Sequence, residues 1–127
     1  MAKKLLIVDD EPELLLLMAV RLKASGYEIF TASDGQRALE VAKKEGPDLI
    51  ILDIMLPKMD GYKVCGLLKK DTRYANIPIL LFSARAQTED MKLGEEVGAD
   101  AYITKPFDPQ ILLSKIEFLL EKSKAKH

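Results

Sequence analysis

The sequence predicts an α/β protein in which a doubly wound parallel sheet of five strands alternates with five helices. Two observations carry that expectation. Short apolar runs alternate with longer amphipathic segments along the chain, the signature of repeated strand–helix units. The polar residues that look out of place, Asp9, Asp10, Asp53, Ser83 and Lys105, each close or follow one of the apolar runs. In a sheet whose strands all run the same way, those positions share one edge, where such folds bind ligands.

The elements follow in order. Leu5-Leu6-Ile7-Val8 is a first strand. The first helix carries Pro12 in its opening turn, Leu14, Leu15, Met18 and Leu22 on its apolar face, and Gly26 as its stop. Tyr27 to Thr31 is a half-buried second strand, and Ser33 and Gln36 form a capping-box pair for a second helix that packs Ala38, Leu39 and Ala42 and ends at Gly46. Leu49 to Leu52 is an unbroken apolar strand, buried on both faces, that delivers Asp53 to its end. A third helix begins near Asp60 and buries Val64, Leu67 and Leu68. The fourth strand spans Ile77 to Phe82 and the fifth Ala101 to Thr104. Between them lies a fourth helix over 88–97, short of apolar residues and interrupted by Gly94 at a cost of roughly 1 kcal/mol against alanine. It reads as a low-stability element suited to a switch. Asp108 caps a last helix with Pro109 at its first position and Leu112, Leu113, Ile116, Leu119 and Leu120 along one face.

Bulk properties exclude several classes. The 127 residues fit one domain with one core. Nineteen basic against twenty acidic residues leave a net charge of −1, so no overall field recruits nucleic acid or an anionic membrane. The longest apolar run, Leu14 to Val20, is far short of a membrane span, and the start has no cleavable signal pattern. Cys65, the one cysteine, excludes an internal disulfide and fits a reducing cytoplasm, the expected location; its thiol reads as a packing group. The one histidine, His127, is the last residue, so a histidine-based zinc site is not expected.

Each unusual polar residue has a plain structural explanation. Asp10 could cap a helix, Asp53 could end a turn, Ser83 could cap a loop and Lys105 could be an ion-pair partner. Gathered on one rim, they point instead to a site. Three neighbouring carboxylates raise each other's pKa unless a cation intervenes, and an oxygen-only donor set favours a hard ion, magnesium before calcium. Lys105 would meet an anionic group beside the metal, and Ser83 adds a hydroxyl donor. A carboxylate is itself a nucleophile toward phosphorus, so Asp53 is expected to accept a phosphoryl group. Asp10 and Asp53 would ligate the metal, with Asp9 close by or acting through water.

The stretches "LLIVDDEPEL", "LIILDIMLPKMDG", "LLFSAR" and "GADAYITKPFD" resemble the receiver domain of two-component response regulators, over about Lys4 to Lys122. The resemblance implies a flavodoxin-like sheet of order 2-1-3-4-5, a receiver domain over 1–122 and a polar tail over 123–127. It implies that a histidine kinase or phosphotransfer protein phosphorylates Asp53 with Mg2+ present, and that activity beyond the domain's own phosphoryl transfer and dephosphorylation is absent. Asp9 and Asp10 match the family's acidic pair, Ser83 its switch hydroxyl, and Lys105 the lysine before a proline, Pro106, that follows a cis bond. The Met55 carbonyl would be a further metal ligand. Met55 and Arg85 would tune the phosphate's lifetime. Tyr102 matches an aromatic that turns inward on activation. The face made by the fourth helix, fifth strand and last helix would then present a new surface to an unidentified downstream protein, and a phosphorylation-dependent homodimer is compatible with that. The motifs lean toward receivers followed by a winged-helix DNA-binding domain, although Ala101 and Lys115 depart from that subgroup's dimer face. The initial methionine and polar end point to a stand-alone receiver, with no direct nucleic-acid or membrane contact. A phosphatase with an aspartate nucleophile would want a second acid where Met55 stands. A pseudo-receiver would have lost one of the site residues. A flavodoxin would not place "DDEP" beside a flavin phosphate.

Overall fold

A computed structural model describes residues 2–83, 92–93, 95–106 and 108–125. Five strands, β1 (Lys4–Val8), β2 (Glu28–Ala32), β3 (Leu49–Asp53), β4 (Ile79–Ser83) and β5 (Ala101–Thr104), form one sheet in the order β2-β1-β3-β4-β5. Every pairing is parallel. The helices α1 (Pro12–Ala24), α2 (Gly35–Glu45), α3 (Gly61–Lys70) and α4 (Pro109–Ala125) complete the described elements. The helix expected over 88–97 falls largely outside the described residues, as do Arg85 and His127; Lys92, Leu93, Glu95 and Glu96 are helical. The last helix continues to Ala125, into the segment expected as a tail.

The core divides across the sheet as strand alternation requires. Leu6, Val8, Ile50, Leu52, Ile79 and Leu81 face α2 and α3, packing with Ala38, Val41, Ala42, Val64, Cys65 and Leu68. Leu5, Ile7, Leu49, Ile51, Leu80 and Phe82 face α1 and α4, packing with Met18, Leu22, Leu112, Ile116 and Leu119. Leu67 is a correction: it is 45% exposed, off the stripe that Gly61, Val64, Cys65 and Leu68 turn inward. Burial pushes the Cys65 thiol up to about 11, so it stays protonated and packs as an apolar group. On α1, Leu16, Leu17 and Val20 remain exposed, leaving that helix apolar on its outer side as well.

The caps were legible with one exception. Pro12 and Pro109 open their helices, Asp60 caps α3 by accepting from the Lys63 N–H at 2.9 Å, and Asp108 accepts from the Gln110 N–H at 2.7 Å. The cap of α2 is Asp34, not Ser33. Extended backbone at Asp34 puts Gly35 first in the helix, and the carboxylate then reaches the Arg37 N–H at 2.8 Å.

At the amino end of the sheet, Lys69 is fully used. Its ammonium donates to Asp100 Oδ2 at 2.7 Å and to the carbonyls of Ile77 and Ala75 at 2.8 and 3.1 Å, while the same Asp100 oxygen accepts from the Ile79 N–H. This ties α3 to the starts of β4 and β5. Lys69→Met keeps the aliphatic stem but leaves a half-buried carboxylate and two carbonyls without their donor. It is expected to cost about 3 kcal/mol in urea unfolding; a loss below roughly 1 kcal/mol, the level of an exposed pair, would contradict the structural role.

Candidate functional site

Among the described residues the buried polar or charged side chains are Asp9, Asp53 and Ser83, and all three stand at the carboxyl edge of the sheet. Asp9 follows β1, while Asp53 and Ser83 close β3 and β4. The register sets their mutual placement: Asp53 lies opposite Phe82, so Ser83 is one step further along the neighbouring strand. Lys105 arrives from β5, its N–H donating to the Ser83 carbonyl at 2.7 Å, and Pro106 follows it through a cis peptide bond. The edge expected from sequence is therefore formed.

The ammonium of Lys105 lies 3.0 Å from Asp9 Oδ2 and 3.2 Å from Asp53 Oδ2, with Glu11 Oε1 at 3.6 Å. The second oxygens are also engaged. Asp9 Oδ1 accepts from the Glu11 N–H at 2.8 Å and Asp53 Oδ1 from the Met55 N–H at 3.1 Å. The Phe82 ring sits beneath the ammonium, 4.7 Å from centroid to Nζ, a favourable face for a cation. Asp10 is exposed, yet one carboxylate oxygen each from Asp9, Asp10 and Asp53 lie within 4.8 Å of one another.

Charge is unbalanced here. Burial pushes the Asp53 carboxyl above the ordinary aspartate value, and the charge of Asp9 adds to this; the Met55 N–H and Lys105 oppose it without prevailing. Burial also works against the Lys105 ammonium, but hydrogen bonds and charge from Asp9 and Asp53 outweigh it and raise its pKa. One ammonium thus serves three carboxylates. A hard divalent ion with oxygen donors fits this donor set, which contains no sulfur or imidazole; the residues present could hold one.

Three contributors were not singled out in the sequence. Glu11 and Phe82 meet Lys105 only through the fold. Gly61 is the third: a Cβ there would collide with the Asp53 carbonyl oxygen and come within 2.8 Å of Ile54 Cα. The Gly61 N–H donates to the Ile54 carbonyl at 2.9 Å, so α3 starts hard against the end of β3. The adjacent "DG" was visible in the sequence, but nothing local identified its neighbour. Tyr102 is half-buried on β5, opposite Leu81, and packs with the α2–α3 side of the core.

The raised pKa of Asp53 has a signed consequence. Between the ordinary value of 3.8 and its raised folded value, the folded chain holds a proton the unfolded chain has released, so stability falls as pH rises through that window. Metal-free Asp53→Asn is therefore expected to melt above wild type at neutral pH, with the gap closing as pH drops below 3.8. Thermal melts in chelator across pH test this; a gap that does not change with pH would contradict it.

Comparison with known proteins identifies the family. The family model for the response regulator receiver domain matches residues 5–117. The alkaline phosphatase synthesis transcriptional regulatory protein PhoP of Bacillus subtilis is 46% identical over 97% of this chain and 50% of its own length. The DNA-binding dual master transcriptional regulator RpaA of Synechocystis is 42% identical over 94% of this chain and 50% of its own length. The chain thus spans about half the length of the curated relatives it matches. Among solved structures, a CheY-like receiver domain protein from Methanospirillum hungatei superposes with a TM-score of 0.94 at 30% identity, covering 100% of both chains. The activated N-terminal receiver domain of RstA from Klebsiella pneumoniae gives a TM-score of 0.86 at 35% identity, covering 93% of this chain and 98% of that one. With a family model spanning most of the sequence and the same sheet beneath it, this chain belongs to the response regulator receiver domain family.

Proposed function

We propose that the chain is a phospho-acceptor of a two-component relay, with Asp53 as the residue that is phosphorylated. The observation that carries the reading is the acid cluster itself: Asp9, Asp10 and Asp53 gathered within 4.8 Å, with one lysine bound to two of them. In the proposed step an Asp53 oxygen attacks phosphorus, a P–O bond forms, and the P–N bond to a donor histidine breaks, the imidazole leaving with a proton. Asp10, Asp53 and the Met55 carbonyl would hold Mg2+, with Asp9 beside them or acting through water. When bound, Mg2+ supplies positive charge to the phosphoryl oxygens. Lys105 and Ser83 would take the remaining oxygens, Lys105 by trading its bond to Asp53 for one to the new phosphate.

The donor would be a histidine kinase or a phosphotransfer protein. The exposed Leu16, Leu17 and Val20 on α1 support a protein rather than only a small molecule as donor, because clustered exposed apolar residues favour a macromolecular contact. Output would follow a two-state shift in which Ser83 moves to the phosphate and Tyr102 changes rotamer, altering the face shared by the 88–97 segment, β5 and α4. Reversing such an equilibrium fully needs a differential on the order of 5.5 kcal/mol. The domain over 1–122 would act as a signalling unit without turnover of an external substrate. DNA binding belongs to the longer relatives; any such output here would need sequence beyond this domain.

Acetyl phosphate with Mg2+ is expected to label wild type at one acid-sensitive position. Asp53→Ala should abolish labelling, and Lys105→Ala should lose most of it while still binding Mg2+. Labelling that persists in Asp53→Ala, read by phosphate-affinity electrophoresis and intact mass, would remove the assignment.

A further inference from the structure

The loop over 54–60, between β3 and α3, must hold the Met55 backbone above Asp53. It is pinned at its ends by the Met55 N–H on Asp53 Oδ1 and by the Gly61 N–H on the Ile54 carbonyl. Between those pins Lys58 has a φ of 67°, the one positive value outside glycine among the described residues. A side chain in that left-handed region persists only when its surroundings enforce it.

The start of α2 supplies the enforcement. A Cβ on Gly35 would collide with the Met59 carbonyl oxygen and lie 2.8 Å from Met59 Cβ and 2.9 Å from Val64 Cγ2. The loop therefore lies in the space a side chain would fill. Backbone contacts on a rigid helix cannot give way as a flexible side-chain tip would. Beside it, Asp34 divides its carboxylate. Oδ1 caps α2 through the Arg37 N–H, and Oδ2 faces Lys58 Nζ at 3.7 Å. The lysine is 67% exposed, so that pair is a weak tether and the close backbone approach at Gly35 is the firm one. The Met59 N–H turns back onto the Pro57 carbonyl at 2.7 Å, completing the bend.

We infer that Gly35, on a different strand–helix unit from the acid cluster, is a positioning residue for cation binding and phosphoryl acceptance. Its missing side chain lets the 54–60 loop rest on α2 and so fixes the Met55 backbone over Asp53. The inference deepens the phospho-acceptor reading and rests on it for its chemical consequence, though not for the loop's placement. A larger residue at position 35 would push Met59 outward, release the left-handed bend at Lys58 and carry Met55 with it.

The experiment compares wild type, Gly35→Ala and Lys58→Pro as full chains. Three readouts are taken: amide hydrogen exchange in metal-free protein, Mg2+ affinity by calorimetry, and acetyl phosphate labelling rate at low and saturating Mg2+. In Gly35→Ala, the amides of Met55, Met59 and Gly61 are expected to exchange faster while those of β1, β3 and β4 keep their wild-type protection. Mg2+ should bind about tenfold more weakly, the usual effect of disturbing a metal ligand's support, and the labelling deficit should be largest at low Mg2+. Wild-type loop exchange together with wild-type Mg2+ affinity would overturn the inference. Should Gly35→Ala fail to fold, Lys58→Pro decides. Proline forbids the positive φ at position 58, so the bend that Gly35 makes room for is lost, loop exchange should rise and Mg2+ affinity should fall; no change in either overturns it. If wild type is not labelled at all, the phospho-acceptor reading fails, while exchange and Mg2+ affinity still judge Gly35.

Discussion

Two buried carboxylates sharing one ammonium is the constraint on which the site depends. Asp9 and Asp53 are nearly without solvent contact, and Lys105 reaches both across the ends of three strands. Removing Lys105 would strand two buried carboxylates in a place where charge is expensive. The arrangement is held but not balanced, because Asp10 adds negative charge beside the two aspartates and Glu11 adds more beside the ammonium. An excess of negative charge of this kind is the physical condition under which a hard dication could bind.

The fold exists, from the site's point of view, to bring distant parts of the sequence to that rim. Asp9 and Lys105 are 96 residues apart in the chain, and Asp53 and Lys105 are 52 apart. Parallel strands do this automatically, since every crossover returns the chain to the same end of the sheet. β3 and β4 contribute only apolar side chains until their last residues, Asp53 and Ser83. Close approach then refines the geometry: α3 begins against the carbonyl of Asp53 because residue 61 has no side chain.

Much of this could be read from the sequence because it is carried by period and punctuation. Four-residue apolar runs identified β1 and β3, and prolines and acids marked helix starts. Asp53, Ser83 and Lys105 stood out because polar residues closing apolar strands conflict with burial. What escaped the reading has a common cause. Ser33 and Asp34 are both good caps, and only the backbone conformation at Asp34 chooses between them. Leu67 fits a helical apolar stripe until the position of the sheet shows which side of α3 is covered. Glu11, Phe82, Gly35 and Gly61 act through contacts with residues far away in sequence, or through a missing side chain, and neither leaves a local signal.

Two partly buried lysines, Lys69 and Lys105, separate structure from function by their charge balance. Lys69 meets one carboxylate and two carbonyls, and the carboxylate it meets is bonded in turn to a backbone N–H. One positive charge is matched by one negative charge and the hydrogen bonds are complete, so nothing there calls for a ligand. Lys105 meets two buried carboxylates with a third acid at 3.6 Å and a fourth in the cluster. Its two hydrogen bonds to Asp9 and Asp53 leave its charges unbalanced. An incomplete hydrogen-bond set is cured by a water molecule, whereas surplus negative charge at a partly buried rim calls for a proton or a cation. Burial, with the charge of Asp9 adding to it, pushes the Asp53 pKa up, and a bound dication would work against that push. A proton on Asp53 and a dication would compete for the same oxygens, so acid pH would oppose cation binding at this edge. The amino end, whose charges already cancel, has no corresponding reason to respond.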